Sequence, residues 1–197
     1  MADLFRNKYR IPSARAPWWD YGRDAAYFVT ICTKDREHYF GEVVGNEMQL
    51  TEIGQIAYDR WHQIPVHFPS VRLDAFVVMP NHVHGIVVIT NSVDSVETLH
   101  DVQTLHATSL PPPPPNKNEK MAAISPQPGS LSTIIRSYKS AVSKDARAIH
   151  ADFAWQTRFH DHIIRTDDSF QRIKNYILSN TLLWHQPSNP RHYEHFF

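Results

Sequence analysis

Five consecutive prolines, Pro111 to Pro115, interrupt the chain where neither flank makes a complete fold. They lie in a stretch from about Asn91 to Gly129 that also holds Pro126 and Pro128 and is rich in Ser, Thr, Asn and Lys. Such a segment buries too little apolar surface to offset its ordering entropy, and the proline run stiffens toward polyproline II. It contains a small imperfect repeat, Val96-Glu-Thr-Leu-His100 and Val102-Gln-Thr-Leu-His106. The reading is a single domain over residues 1–197 carrying a Pro-rich, disordered insertion at 91–129. The segments on either side must then share one core.

The patterns on the two sides support this. Tyr27 to Thr33 is aromatic and β-branched, as expected of a buried strand. A short strand near Glu47 to Leu50 follows, and then a helix capped by Thr51. In that helix Ile53, Ile56, Ala57, Trp61 and Ile64 recur at helical spacing, and Pro65 is expected to stop it. Val71 to Met79 and Val83 to Ile89 read as two strands joined by a Pro80-Asn81 turn. Beyond the insertion, Ser130 opens a helix with the stripe Ile134, Ile135, Tyr138, Ala141 and Val142. Phe153 to Arg165 reads as a strand, and Asp167 or Asp168 as the cap of a last helix burying Phe170, Ile173, Ile177 and Trp184. The order β-α-β-β-α-β predicts an α+β, ferredoxin-like sandwich. Its antiparallel sheet has four or five strands, with two helices on one face and the last helix as an addition.

Charge narrows the function. Lys plus Arg and Asp plus Glu number 20 each, for a net charge of zero, which counts against a protein that coats nucleic acid nonspecifically. A local basic groove is still compatible with it. The lone cysteine, Cys32, sits in an apolar run and reads as a buried thiol, so no disulfide framework exists. No apolar run approaches the roughly 18 residues of a membrane span, and Met1 to Arg10 lacks a secretory apolar region. The default expectation is a cytoplasmic protein.

Thirteen histidines make one His-x-His an expected coincidence, so position must decide which pair matters. Side chains alternate along a strand, hence His82 and His84 project to one face and Val83 to the other. Two imidazoles on a rigid central hairpin can chelate one divalent ion. A hydrogen-bonded pair on a solvated sheet face has the same spacing. Gly85 removes a side chain beside the pair, which suggests close approach of a substrate backbone. His160 and His162 form a rival pair, read as supporting or structural residues that line the same region if their strand neighbours the first. In the last helix, Tyr176 and Asn180 lie one turn apart on one face, at the edge of the buried stripe. A boundary tyrosine extending its hydroxyl into water would look the same.

Taken together, four blocks carry a resemblance that no single one carries. They are Tyr27-Phe-Val-Thr-Ile-Cys-Thr33, Val77-Val-Met-Pro-Asn-His-Val-His-Gly85, Trp155-Gln156 with Asp161-His162-Ile-Ile-Arg165, and Tyr176-Ile177 with Asn180. In this order they resemble the REP-associated tyrosine transposases (RAYT) of the HUH single-tyrosine superfamily, from roughly Tyr9 to Trp184. The resemblance implies that His82 and His84 are metal ligands, that Asn180 supplies a third, oxygen ligand, and that Tyr176 is the nucleophile. The implied cofactor is Mg²⁺ or Mn²⁺. The implied substrate is single-stranded DNA with REP-like palindromic hairpins, cut and rejoined through a 5′-phosphotyrosine by a monomer or homodimer at the nucleoid, with no membrane partner. The family more often has proline after the asparagine. Thr181 stands there instead, and the helix is expected to run on by a turn.

Contacts to DNA are read from composition. Arg6, Lys8, Arg10, Arg15 and Arg23, interleaved with Tyr9, Trp18, Trp19 and Tyr21, combine cations for phosphates with aromatic faces for unpaired bases. Arg136, Lys139, Lys144 and Arg147 form a second candidate patch, or simply a solvated helix face. Three rival functions share much of the pattern. One is a domesticated hairpin-binding protein that no longer cuts, and another a metal-dependent hydrolase without covalent catalysis. The third, an RNA-binding ferredoxin-like module, would need exposed aromatics where the central strands carry histidines and aliphatics.

Overall fold

The computed structural model describes residues 18–91 and 127–185, together with the backbone of two short paired strands, β1 (Leu4–Phe5) and β2 (Lys8–Tyr9). Most of the expected Pro-rich insertion therefore lies outside the described residues, as do Arg6, Arg10 and Arg15.

Four strands form the central sheet: β3 (Ala25–Cys32), β6 (Val71–Met79), β7 (His82–Ile89) and β8 (His160–Ile164). All pairings are antiparallel, in the order β6-β7-β3-β8. This is the ferredoxin-like arrangement, with four strands in the sheet among the described residues. Between β3 and the first helix a small hairpin intervenes, β4 (Gly41–Val44) and β5 (Glu47–Leu50), which turns at Gly45 with φ +64°. The expected strand at 47–50 is thus real, but it pairs with 41–44 outside the main sheet.

One face of the sheet is covered by α1 (Glu52–His62) and α3 (Leu131–Ile149). Thr51 caps α1, its hydroxyl accepting from Gly54 N at 3.1 Å. Pro65 does not end the helical stretch. It occupies the first turn of a separate short helix, α2 (Ile64–His67), where its missing N–H costs nothing. Tyr27, Val29, Ile31, Val83, Val87, Ile53, Ala57, Trp61, Ile134, Ile135 and Val142 interdigitate here as the main core. Tyr138 buries its ring in that core and donates its hydroxyl to Ala57 O at 3.0 Å, joining the two helices.

The other face carries α4 (Asp167–Leu178), seated on a smaller cluster of Phe28, Ala75, Ile86, Ile164, Ile173 and Ile177. Its cap is Thr166, which accepts from Ser169 N at 3.2 Å, and not either aspartate. The two aspartates fall in the first turn, where their charge complements the helix dipole. The helix also does not run through Asn180. It stops at Leu178, Ser179 adopts φ −94° and ψ 4°, and a distinct four-residue turn of helix, α5 (Asn180–Leu183), follows. The Thr181 extension is thus a broken one. Only five residues of the expected strand over Phe153 to Arg165 join the sheet. The preceding segment runs as a loop that touches β3's end through a bridge between Trp155 and Thr33.

Candidate active site

Strand parity divides β7 between the two faces. Val83, Gly85 and Val87 point toward α1 and α3, while His82, His84 and Ile86 point toward α4. Where the small α4-side core ends, the sheet face becomes polar and the two histidines meet. Their Nε2 atoms are 3.1 Å apart, and the residues are 8% and 1% exposed.

Each ring is gripped from behind. His84 Nδ1 lies 2.8 Å from Thr30 Oγ1, its neighbour across the β3–β7 ladder. The His84 ring also stacks on Phe28, with centroids 5.3 Å apart. His82 Nδ1 lies 2.7 Å from Asn81 Oδ1, and the Asn81 amide donates to Arg36 O at 3.2 Å. The hairpin tip itself is pinned, because Thr33 N and Thr33 Oγ1 both donate to Asn81 O at 2.9 Å. Burial pushes the His82 imidazole far down, to about 3, and the Arg36 and His38 cations add to that. A neutral ring with a free nitrogen lone pair is the form that binds metals.

The tyrosine arrives from α4. Its hydroxyl is 3.3 Å from His84 Nε2, and its ring meets those of His84 and Phe28 edge-on. Ile173 and Ile177 fix the helix on the sheet, and Lys174 Nζ, 2.9 Å from Asp74 Oδ1, ties it to β6. Asn180, 7% exposed, begins α5, and Trp184 just after that turn places its ring 6.0 Å from His82. The segment after the break at Ser179 thus brings the Trp184 ring beside His82. Among the described residues no group of three His, Cys, Asp or Glu side chains could hold a metal, so within that set a third protein ligand to the pair would be another donor type.

His160 and His162 share the face of the pair, since they register with Thr30 and Phe28. They lie beyond β3, two strand spacings or roughly 10 Å from β7. Burial lowers both pKa values, with Asp161 opposing the shift in each case. Trp18 and Trp19 sit at the other end of β3. Trp18 is 68% exposed under the Arg165 guanidinium, and Trp19 donates to Tyr27 OH at 3.1 Å. Of Lys8 only the backbone is described, in β2.

The α3 cations separate into two groups. Lys139 donates to Gln156 O at 2.6 Å and Arg147 to Phe153 O at 3.1 Å, so both hold the loop before β8. Arg136 and Lys144 instead line an open groove of about 710 Å³ with Arg60 and His67, on the sheet side away from the histidines.

Gly85 faces the helix layer, not the histidine side as its place beside the pair suggests. A Cβ there would run into the benzo ring of Trp61, 2.8 Å from Cη2 and 3.0 Å from Cε2. The missing side chain makes room for a buried tryptophan on the helix side, not for substrate beside the histidines. The sequence reading also missed Thr30, Phe28 and Trp184 at the site. Only Asn81 had an available signal, its place directly before His82 at a hairpin tip.

No family model matches the chain. An uncharacterized protein of Haemophilus influenzae is 36% identical over 175 residues, which cover 88% of this chain and 89% of that one. The chain belongs to the same family as this Haemophilus protein. Among solved structures, a REP-associated tyrosine transposase bound to a REP hairpin superposes with a TM-score of 0.54 at 17% identity, over 88% of this chain and 75% of that one. The fold is the RAYT-like transposase fold. No helix among the described residues is long and apolar enough to cross a membrane.

Proposed function

We propose that this protein is a metal-dependent strand transferase that nicks and rejoins single-stranded DNA carrying REP-like hairpins, with Tyr176 as nucleophile. The observation that carries the reading is the Tyr176 hydroxyl 3.3 Å from His84 Nε2, itself 3.1 Å from His82 Nε2. A phenol beside two converging imidazoles is more than a boundary tyrosine needs. The RAYT-like fold supports the same reading.

The donor set fits a divalent ion. Two nitrogens about 2.1 Å from one ion, at tetrahedral or octahedral angles, lie roughly 3.0–3.4 Å apart. The two Nε2 atoms have that separation. His82 and His84 would hold Mg²⁺ or Mn²⁺, with Asn180 as the oxygen ligand from α5. When bound, the ion supplies Lewis-acid stabilisation of charge on the scissile phosphate.

Tyr176 performs the covalent step. Its hydroxyl gives up its proton as the oxygen attacks the phosphorus, the Tyr–O–P bond forms as the P–O3′ bond breaks, and the 3′ oxygen leaves and takes up a proton. The product is a 5′-phosphotyrosine and a free 3′-hydroxyl. A 3′-hydroxyl from another strand can attack the same phosphorus and expel the phenolate, rejoining DNA. The aryl oxide is a better leaving group than an alkoxide, so the linkage remains reversible. The packing on Ile173, Ile177 and Phe28 holds the tyrosine beside the histidine pair, which would supply the orientation part of catalysis.

Labelled REP-type hairpin DNA incubated with the protein and Mg²⁺ or Mn²⁺ tests this. The expected result is a denaturation-resistant protein–DNA adduct that Tyr176→Phe abolishes while hairpin binding is retained. Absence of adduct with both ions sinks the enzyme reading and leaves a hairpin-binding protein. Cleavage that survives Tyr176→Phe instead identifies a hydrolase.

A further inference from the structure

The histidine pair is supported unequally, and the two supports have different chemistry. Behind His82 stands a carboxamide whose orientation is decided independently. Arg36 O can only accept a hydrogen bond, so the group facing it is the Asn81 NH₂, which leaves Oδ1 facing His82 Nδ1 at 2.7 Å. An amide oxygen also only accepts, so Nδ1 must carry the His82 proton. The Arg36 carbonyl is presented by an unusual turn, Asp35 and Arg36 having φ of +53° and +61°. Behind His84 stands a hydroxyl, Thr30 Oγ1 at 2.8 Å, which can donate or accept.

We propose that Asn81 is a tautomer lock on His82 and Thr30 a tautomer switch on His84. The 3.1 Å approach of the two Nε2 atoms needs one proton between them when no cation is there. Asn81 denies that proton to His82, so it resides on His84 Nε2, where the His82 lone pair at 3.1 Å accepts it and the Tyr176 oxygen at 3.3 Å can only accept, while Thr30 donates to His84 Nδ1. When both Nε2 lone pairs are engaged by a cation, the His84 proton passes from Nε2 to Nδ1 of the same ring. Thr30 then accepts it, and the net charge of the rings is unchanged. Asn81 and Thr30 are thus positioning residues that act through the histidines. The His84 switch rests on the proposed metal role of the pair, whereas the His82 lock does not.

The test is spectroscopic and needs no DNA. Long-range ¹H–¹⁵N spectra of the full-length protein labelled at histidine report which ring nitrogen is protonated, with signals assigned through His82→Gln and His84→Gln. Zn²⁺ serves as a diamagnetic, imidazole-preferring probe. His82 should show a protonated Nδ1 with and without Zn²⁺, and His84 should change from Nε2–H to Nδ1–H on titration. A His82 protonated on Nε2, or a His84 pattern unmoved by saturating Zn²⁺, overturns the proposal. In calorimetry, Thr30→Val should weaken Zn²⁺ binding about 10–100-fold, the usual range for an outer-shell partner of a metal-bound histidine, and Thr30→Ser should restore it. Equal affinity of Thr30→Val and wild type also refutes the switch. If the DNA adduct never forms but these spectra appear as described, the strand-transferase reading fails and the lock stands. The reverse result rejects the lock and the switch and leaves the strand-transferase reading in place.

Discussion

Replacing Gly85 with alanine separates a packing role from a substrate-approach role at one methyl group's cost in volume. The added Cβ overlaps Trp61, whose ring is fully buried, stacked on Phe76 with centroids 4.5 Å apart and crossed by Tyr138 at 5.3 Å. The ring has no free side toward which to retreat, and β7 is a central strand held on both edges. Overpacking of a closed core costs about 1–3 kcal/mol, and this site belongs at the upper end. For a domain of this size, about 3 kcal/mol lowers the Tm by roughly 6–12 °C. Urea unfolding of Gly85→Ala should show the loss as a lower midpoint with an unchanged slope. Trp61→Phe should relieve it. The Trp61 indole N–H is buried without a partner, so the smaller ring also discards an unsatisfied donor. The double variant should be more stable than the sum of the single effects by about 1 kcal/mol or more. Wild-type stability of Gly85→Ala, combined with lost hairpin binding, would refute the packing argument and restore the substrate role.

Two further outcomes follow from the site. His82 ionises near 3 in the folded protein against 6.5 for an ordinary histidine, so the unfolded chain takes up a proton across a window where the folded chain does not. Stability present above pH 6.5 is therefore lost as pH falls toward 3, by roughly 2–3 kcal/mol from this ring at pH 4.5. Urea midpoints between pH 7 and 4.5 should shift less in His82→Gln, and identical pH profiles would show that the ring does not contribute. Lys174→Met removes the ion pair that ties α4 to β6. Burial pushes the Asp74 carboxyl up, but the Lys174 ammonium and the Ala75 N–H outweigh it and hold the carboxyl low. The pair is partly exposed and is worth about 0.5 kcal/mol of stability. Adduct formation should nevertheless slow about tenfold, because small displacements of a nucleophile are costly. An unchanged rate would mean that Ile173 and Ile177 seat the helix alone.

Periodicity was enough for the architecture. The alternation in Tyr27 to Thr33 and through the 71–89 hairpin, with the helical stripes at 53–64 and 134–142, reports burial directly and so determines the sandwich. The same alternation put His82 and His84 on one face, because strand parity is a local property. Boundaries were less legible where the competing groups are nearly equivalent. Thr166 and the two aspartates are all good caps, and Pro65 can end one helix or begin the next. What closes the site depends on contacts between distant segments, such as Thr30 with His84, Arg36 with Asn81, and Asp74 with Lys174. These follow from a register between strands that single-sequence patterns do not encode. Gly85 shows the difference most clearly. The sequence could show that a side chain was missing beside the histidines. Only packing across the sheet decided that Trp61 fills the space, since which object occupies a vacated volume is a property of the assembled core.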